Sequence, residues 1–144
     1  MKIKVMYHSM TGNTKKVAEA IAAAVGIVAE KVQGAETFSE SIDLLFVGDG
    51  IYAGGMSRKT KAFLQGLESG WVKHAAVFGT YGGEDTVITA MKALLKEKGI
   101  AVCEERFVCV GQAFFVANKN RPNQEDLDNA ADFAKRIVQM VSEG

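Results

Sequence analysis

Ile3-Lys4-Val5-Met6-Tyr7-His8-Ser9-Met10-Thr11-Gly12-Asn13-Thr14 decides how the rest of the chain is read. Residues 3–7 read as a strand, His8–Asn13 as a polar loop, and Thr14–Val25 as a helix with Val17, Ile21, Ala24 and Val25 on one face. Gly26 stops that helix. A strand passing through a short polar loop into a helix is the opening of a βα unit. The same succession continues to the end of the chain.

Ile27–Val32 is a short strand and Gln33–Ser41 a loop. Ile42–Val47 is the most apolar run and reads as a strand buried on both faces. Gly48, Gly50, Gly54 and Gly55 mark the loop after it, and Ser57 is a suitable N-cap for a helix to Glu68. Thr60, Phe63, Leu64 and Leu67 form that helix's inward stripe. Ala75–Phe78 is a further strand, followed by the loop Gly79–Gly83. A helix from Glu84 or Asp85 to Lys98 turns Val87, Ile88, Met91, Leu94 and Leu95 inward, and Gly99 closes it. Ala101–Val110 reads as one strand with a charged interruption at Glu104-Glu105-Arg106. Arg121-Pro122-Asn123 introduces a last helix carrying Leu127, Ala130, Ala134, Ile137 and Val141 at helical spacing.

Five strands and four helices in alternation imply an α/β fold. It is a three-layer, doubly wound parallel sheet with helices on both faces, in one domain over residues 1–144. Lys+Arg 17 against Asp+Glu 17 leaves no net charge, which argues against nucleic acid or an anionic membrane surface as partner. The longest apolar runs are a few residues, too short to span a bilayer. Met1-Lys2-Ile3-Lys4 lacks the pattern of a secretory signal. Cys103 and Cys109, six residues apart on one predicted strand, would lie about 20 Å apart and so cannot bridge. A reduced, cytoplasmic setting is the expectation. His8 and His74 are isolated, so no metal-ligand spacing exists.

In parallel sheets of this kind ligands bind at the carboxyl ends of the strands, where the strand order reverses. Three polar or Gly-rich loops fall there: His8–Thr14, Gly48–Ser57 and Gly79–Asp85. The first offers hydroxyls, an amide, a glycine and a helix N-terminus, a combination that suits a phosphate. It is also what an ordinary capped βα turn contains. No Walker loop is present. Gly48-Asp49-Gly50-Ile51-Tyr52-Ala53 fits the dinucleotide fingerprint in letters alone, because it follows the third strand instead of opening the first βαβ unit. Tyr52 is placed either to stack on a planar ring or simply to cover the sheet end. Thr80-Tyr81-Gly82-Gly83 either wraps the other edge of such a ring or makes a plain turn. His8 is able to donate to a phosphate or shuttle a proton, though a histidine at a strand end is more often only a polar terminus. Trp71 is expected to pack under a helix-to-strand connection, and Met10, Met56 and Met91 to act as filler.

With Ser9-Met10-Thr11-Gly12-Asn13-Thr14, Phe46-Val47-Gly48, Phe78-Gly79-Thr80-Tyr81-Gly82, Gly111-Gln112 and Arg121–Leu127 in place, the chain resembles a short-chain flavodoxin over essentially its whole length. The resemblance implies strand order 2-1-3-4-5 and non-covalent FMN. Ser9, Thr11, Asn13 and Thr14 would hold the phosphate, with backbone N–H groups of Met10 and Gly12. Tyr52 would lie on one ring face, with Ala53, Gly54 and Gly55 at the N5 edge. Thr80, Tyr81, Gly82 and Gly83 would line the other face and the pyrimidine edge. Gly83 stands where short-chain members often carry Trp, and the neutral charge departs from the usual acidity of the carriers. The missing aromatic implies weaker FMN retention or a ring face open to substrate, and the neutral charge mildly favours an enzyme over a carrier. In a turn Tyr52–Gly55, Gly54 permits type II while Ala53 opposes type II′, which favours a carbonyl directed at N5.

The resemblance thus implies an electron carrier, moving one or two electrons between redox partner proteins as a monomer, with no catalytic side chain required. Asp49, Glu84 and Asp85 would lower the flavin potential and contact partners. The alternatives are an FMN-dependent reductase of quinones or similar small molecules, and a flavin-free binding module on the same fold. A receiver domain is disfavoured, because strand one ends in His8-Ser9 where an acidic pair is needed.

Overall fold

The computed structural model describes residues 1–34, 36, 38–51, 55–81, 86–110 and 120–143. Chain order is β1 Ile3–Tyr7, α1 Asn13–Ala24, β2 Glu30–Lys31, β3 Ile42–Ile51, α2 Arg58–Gly66, β4 Val72–Tyr81, α3 Thr86–Glu97, β5 Ala101–Val102, β6 Phe107–Val110 and α4 Gln124–Glu143. All strand pairings are parallel, in the order β2-β1-β3-β4, with β5 and β6 both on the outer side of β4. This is the expected doubly wound order with one difference. The predicted fifth strand is divided. Glu104-Glu105-Arg106 leaves the ladder, and α3 and α4 hold the gap: Lys92 Nζ donates to the Glu104 carbonyl at 2.7 Å, and Arg136 pairs with Glu105 at 2.6 Å.

Successive residues of β3 serve opposite faces, as a strand's two-residue period demands. Leu45 and Val47 pack with Phe63 and Leu64 of α2 and with Val87, Ile88, Met91 and Leu95 of α3. Leu44 and Phe46 pack with Val17, Ala18 and Ile21 of α1 and with Ala130, Phe133, Ala134 and Ile137 of α4. The predicted stripe Thr60, Phe63, Leu64 and Leu67 is buried throughout. Trp71 packs beside Phe38, ring centroids 6.1 Å apart, at the α2–β4 connection. Met91 and Met56 pack as filler, whereas Met10 is 74% exposed and fills nothing.

β3 and β4 both run to the carboxyl-terminal rim of the sheet, farther than apolarity alone predicts, and remain paired there through Asp49↔Gly79, Gly50↔Thr80 and Ile51↔Tyr81. Gly48 is required by its neighbour. An added Cβ would stand 2.1 Å from a ring carbon of the fully buried Phe78, directly opposite in the ladder. α4 begins on a reciprocal cap: Asn123 Oδ1 accepts from the Asp126 N–H at 2.9 Å, and Asp126 Oδ2 accepts from the Asn123 N–H at 2.8 Å. Arg121 forks onto the same carboxylate at 2.6 and 2.8 Å. The Arg121–Asp126 segment is therefore explained by helix capping. Both cysteines are free thiols. No helix among the described residues is long and apolar enough to cross a membrane.

Candidate functional site

The strand order turns back between β1 and β3, so their carboxyl ends form the crevice where this architecture places ligands. β1 delivers His8, whose N–H donates to the Gly48 carbonyl at 3.1 Å and extends the β1–β3 ladder by one bond. The chain then turns through residues 9–12 into α1. Gly12 caps that helix with φ of +91°, in the left-handed region a glycine enters without penalty. Its N–H donates to Ser9 Oγ at 3.0 Å, which braces the loop internally, and its carbonyl accepts the first helical bond from Lys16 at 3.1 Å. The N–H groups of Asn13, Thr14 and Lys15 precede that first bond and point out of the helix start. No acidic residue lies in the first turn, so the positive end of the helix dipole is not neutralised there.

Of the loop's side chains, Thr11 is exposed, Ser9 half-buried and Asn13 and Thr14 buried. Thr14 Oγ1 shares a 2.8 Å hydrogen bond with Thr80 Oγ1 at the end of β4. That bond ties the start of α1 to the third rim loop across the sheet. Ser9, Met10, Thr11, Gly12, Asn13, Thr14 and Thr80 are thus brought together. Tyr81 continues β4, paired with Ile51 and Val110. Gly55 precedes α2 with φ of +85° and is exposed. Tyr52, Ala53, Gly54, Gly82 and Gly83 lie outside the described residues, as do Glu84 and Asp85.

Asp49 is not the exposed rim charge expected of it. It is 0% exposed and lies beneath the rim. Its position in the β3 ladder turns the side chain into the layer under α2. There Oδ1 accepts from the Gly50 N–H at 2.9 Å and Oδ2 from the Ser57 N–H at 2.8 Å. His8 Nδ1 stands 3.3 Å from Oδ1. Burial pushes the carboxyl above the ordinary carboxylate range, opposed by the two N–H groups and by the His8 imidazole. Ser57 is in turn the N-cap of α2, accepting from the Thr60 N–H at 3.3 Å and donating to Thr60 Oγ1 at 2.8 Å. Hydropathy reads Asp49 as loop and hides this network. The available signal was an acid at an inward strand position, eight residues before a predicted cap.

A rim of N–H and O–H donors around a left-handed glycine, beside a helix start without carboxylates, fits a phosphate-bearing ligand. A family model described as a flavodoxin domain matches residues 4–114. An uncharacterized protein of Methanocaldococcus jannaschii is 32% identical over 150 residues, covering 96% of this chain and 99% of that protein. Among solved structures, a flavodoxin from the domain Archaea superposes with a TM-score of 0.80 at 20% identity, over 99% of both chains. Flavodoxin 1 from Bacillus cereus gives 0.77 at 22% identity, over 96% of this chain and 98% of its own. At these identities the superpositions speak for the fold, and the family match over most of the chain speaks for descent. The chain belongs to the flavodoxin family.

Proposed function

We propose that the protein binds FMN and carries one or two electrons between redox partner proteins, as a cytoplasmic monomer. The observation that carries this reading is the β1–α1 loop: Gly12 in the left-handed region, a helix start free of acidic residues, and Ser9, Thr11, Asn13 and Thr14 gathered at the reversal of strand order. The donor set matches a phosphate monoester, which accepts N–H and O–H bonds from every side. Ser9, Thr11 and Asn13 would hold it with side chains, and Met10 and Thr14 with backbone N–H groups. The Gly12 N–H, expected from the resemblance to join them, donates to Ser9 Oγ instead and keeps the loop in shape. Because Thr14 Oγ1 is bonded to Thr80, its side chain serves by fixing the two loops together. Tyr52 to Gly55 and Thr80 to Gly83 would enclose the ring. The flavin, when bound, supplies the electron-accepting chemistry, so the chain's task is to bind, orient and shield it. Two free thiols suit a reducing compartment.

Titration of the apoprotein with FMN, followed by flavin fluorescence and the visible spectrum, tests the reading. Quenching at micromolar protein, weakened at least tenfold in Thr11→Ala/Asn13→Ala and far weaker for riboflavin, is expected. No FMN binding up to millimolar would overturn it. Turnover of quinones with a nicotinamide nucleotide and no protein partner would replace the carrier with a reductase.

A further inference from the structure

Three elements meet on one carboxylate. His8 from the end of β1, Gly50 from β3 and Ser57 from the start of α2 all reach Asp49, within 3.3, 2.9 and 2.8 Å. Both oxygens are occupied by backbone N–H groups, and water has no access. A carboxylate in that position is costly to bury. Asparagine would avoid the charge, but an amide offers one acceptor oxygen and one NH₂, so it serves only one of the two N–H groups and opposes the other. An ionised acid is the side chain of this length that accepts from both. We propose that Asp49, with His8 as its charge partner, is a positioning residue that fixes the carboxyl end of β3 against the start of α2 for flavin binding, and so makes FMN affinity depend on pH.

This proposal rests on the FMN reading above. Protonation of the Asp49 carboxyl turns one acceptor into a donor, and one N–H bond of the pair is lost. Burial places that event above the ordinary carboxylate range. A protonated His8 opposes it, because the contact then becomes an ion pair that favours the carboxylate. Among the described residues, His8 is the titratable group facing Asp49 from β1. The α2 residue on it is the uncharged Ser57, while Arg58, Lys59 and Lys61 of that helix are exposed. The paired β4 residue is Gly79, which carries no charge.

The test measures FMN dissociation constants between pH 5 and 8 for wild type, Asp49→Asn and His8→Asn. Ratios to wild type at each pH cancel the titration of the FMN phosphate. Asp49→Asn is expected to bind about tenfold more weakly at pH 8, the effect of one hydrogen bond to a charged group, with the gap closing toward pH 5. In His8→Asn, whose amide nitrogen replaces Nδ1 without a titrating charge, wild-type-like affinity should fail at a higher pH. Amide exchange in the apoprotein supplies a reading independent of flavin: Gly50 and Ser57 N–H groups lose protection in Asp49→Asn, and in wild type as the pH falls. Wild type that binds FMN while Asp49→Asn binds equally at every pH overturns the Asp49 assignment alone. Wild type that fails to bind overturns the FMN reading. Should Asp49→Asn not fold, an unchanged pH profile in His8→Asn overturns the pairing.

Discussion

Replacing Gly48 by alanine tests the packing on which the crevice is built. The new Cβ would lie 2.1 Å from Phe78 Cε2 and 2.4 Å from Cδ2 and Cζ. Carbon atoms in contact sit about 3.5–4.0 Å apart, so all three overlaps exceed an ångström. The ring has nowhere to swing, being fully buried in the core layer of Val5, Tyr7, Phe46 and Ala76. Overpacking costs about 1–3 kcal/mol, and three overlaps between central strands place this case near 3 kcal/mol. In a domain of this size that lowers Tm by about 6–12 °C. Urea unfolding of the apoprotein, monitored by circular dichroism, reads the change directly as a lower midpoint at constant m. Phe78→Leu removes the clashing atoms at a cost of about 1–2 kcal/mol. On that background Gly48→Ala should cost about 1 kcal/mol or less, a coupling near 2 kcal/mol. Gly48→Ala within about 0.5 kcal/mol of wild type, or strictly additive costs, would refute the argument that the ring lies over the glycine.

The α4 cap predicts that Asn123→Ala destabilises by about 1 kcal/mol while Asn123→Ser is close to neutral, by the same urea assay. The hydrogen-bonded Arg121 holds the Asp126 carboxyl below the ordinary carboxylate range. Its contribution is therefore present above that range and lost as pH falls through the lowered value, so wild type and Asp126→Asn should converge in stability only in strong acid. Thr14→Val strands the buried Thr80 hydroxyl and should cost about 1–3 kcal/mol, with Thr14→Val/Thr80→Val recovering part of it in a double-mutant cycle. Burial pushes the Cys109 thiol up to about 12, so it should resist a thiol-specific disulfide reagent at pH 8 in the native protein and react at once in urea.

The layers were legible because their signals are periodic. Val17 and Ile21, Phe63 and Leu64, Val87, Ile88, Met91 and Leu95 each recur at helical spacing, and each is buried. Ser57 and Gly99 marked helix ends by chemistry that needs no distant partner. Non-local contacts decided the rest. The carboxyl ends of β3 and β4 contain Gly48, Asp49, Gly50 and Gly79, residues of poor strand propensity. They stay in the ladder because each strand finds the other already paired to it. The division of the last strand was visible as charge, but the residues that hold Glu104 and Glu105 out of the ladder come from α3 and α4. In the candidate site, the β1–α1 loop was readable as a local motif. Asp49 escapes a reading by hydropathy because its burial depends on β3 running past Val47 and on partners at positions 8 and 57, which only the folded rim brings to it.

The arrangement of strand lengths bears on how the sheet meets other proteins. The two ten-residue strands, β3 and β4, lie inside, each with a neighbour on both sides, and the described outer strands are β2 with two residues, β5 with two and β6 with four. A free sheet edge is a template on which a second chain can lay down its own backbone, and aggregation begins at long, flat, apolar ones. Here Glu104-Glu105-Arg106 cuts the outer side of β4's neighbour into pieces and puts charge in the cut. The register steps there too: residues 103–106 face only Ala76 and Val77 of β4, so the two outer pieces cannot merge into one margin without a slip along the strand. Neutralising Glu104, Glu105 and Arg106 is therefore expected to cost solubility at high concentration while the break in the edge, the fold and the crevice stay as they are.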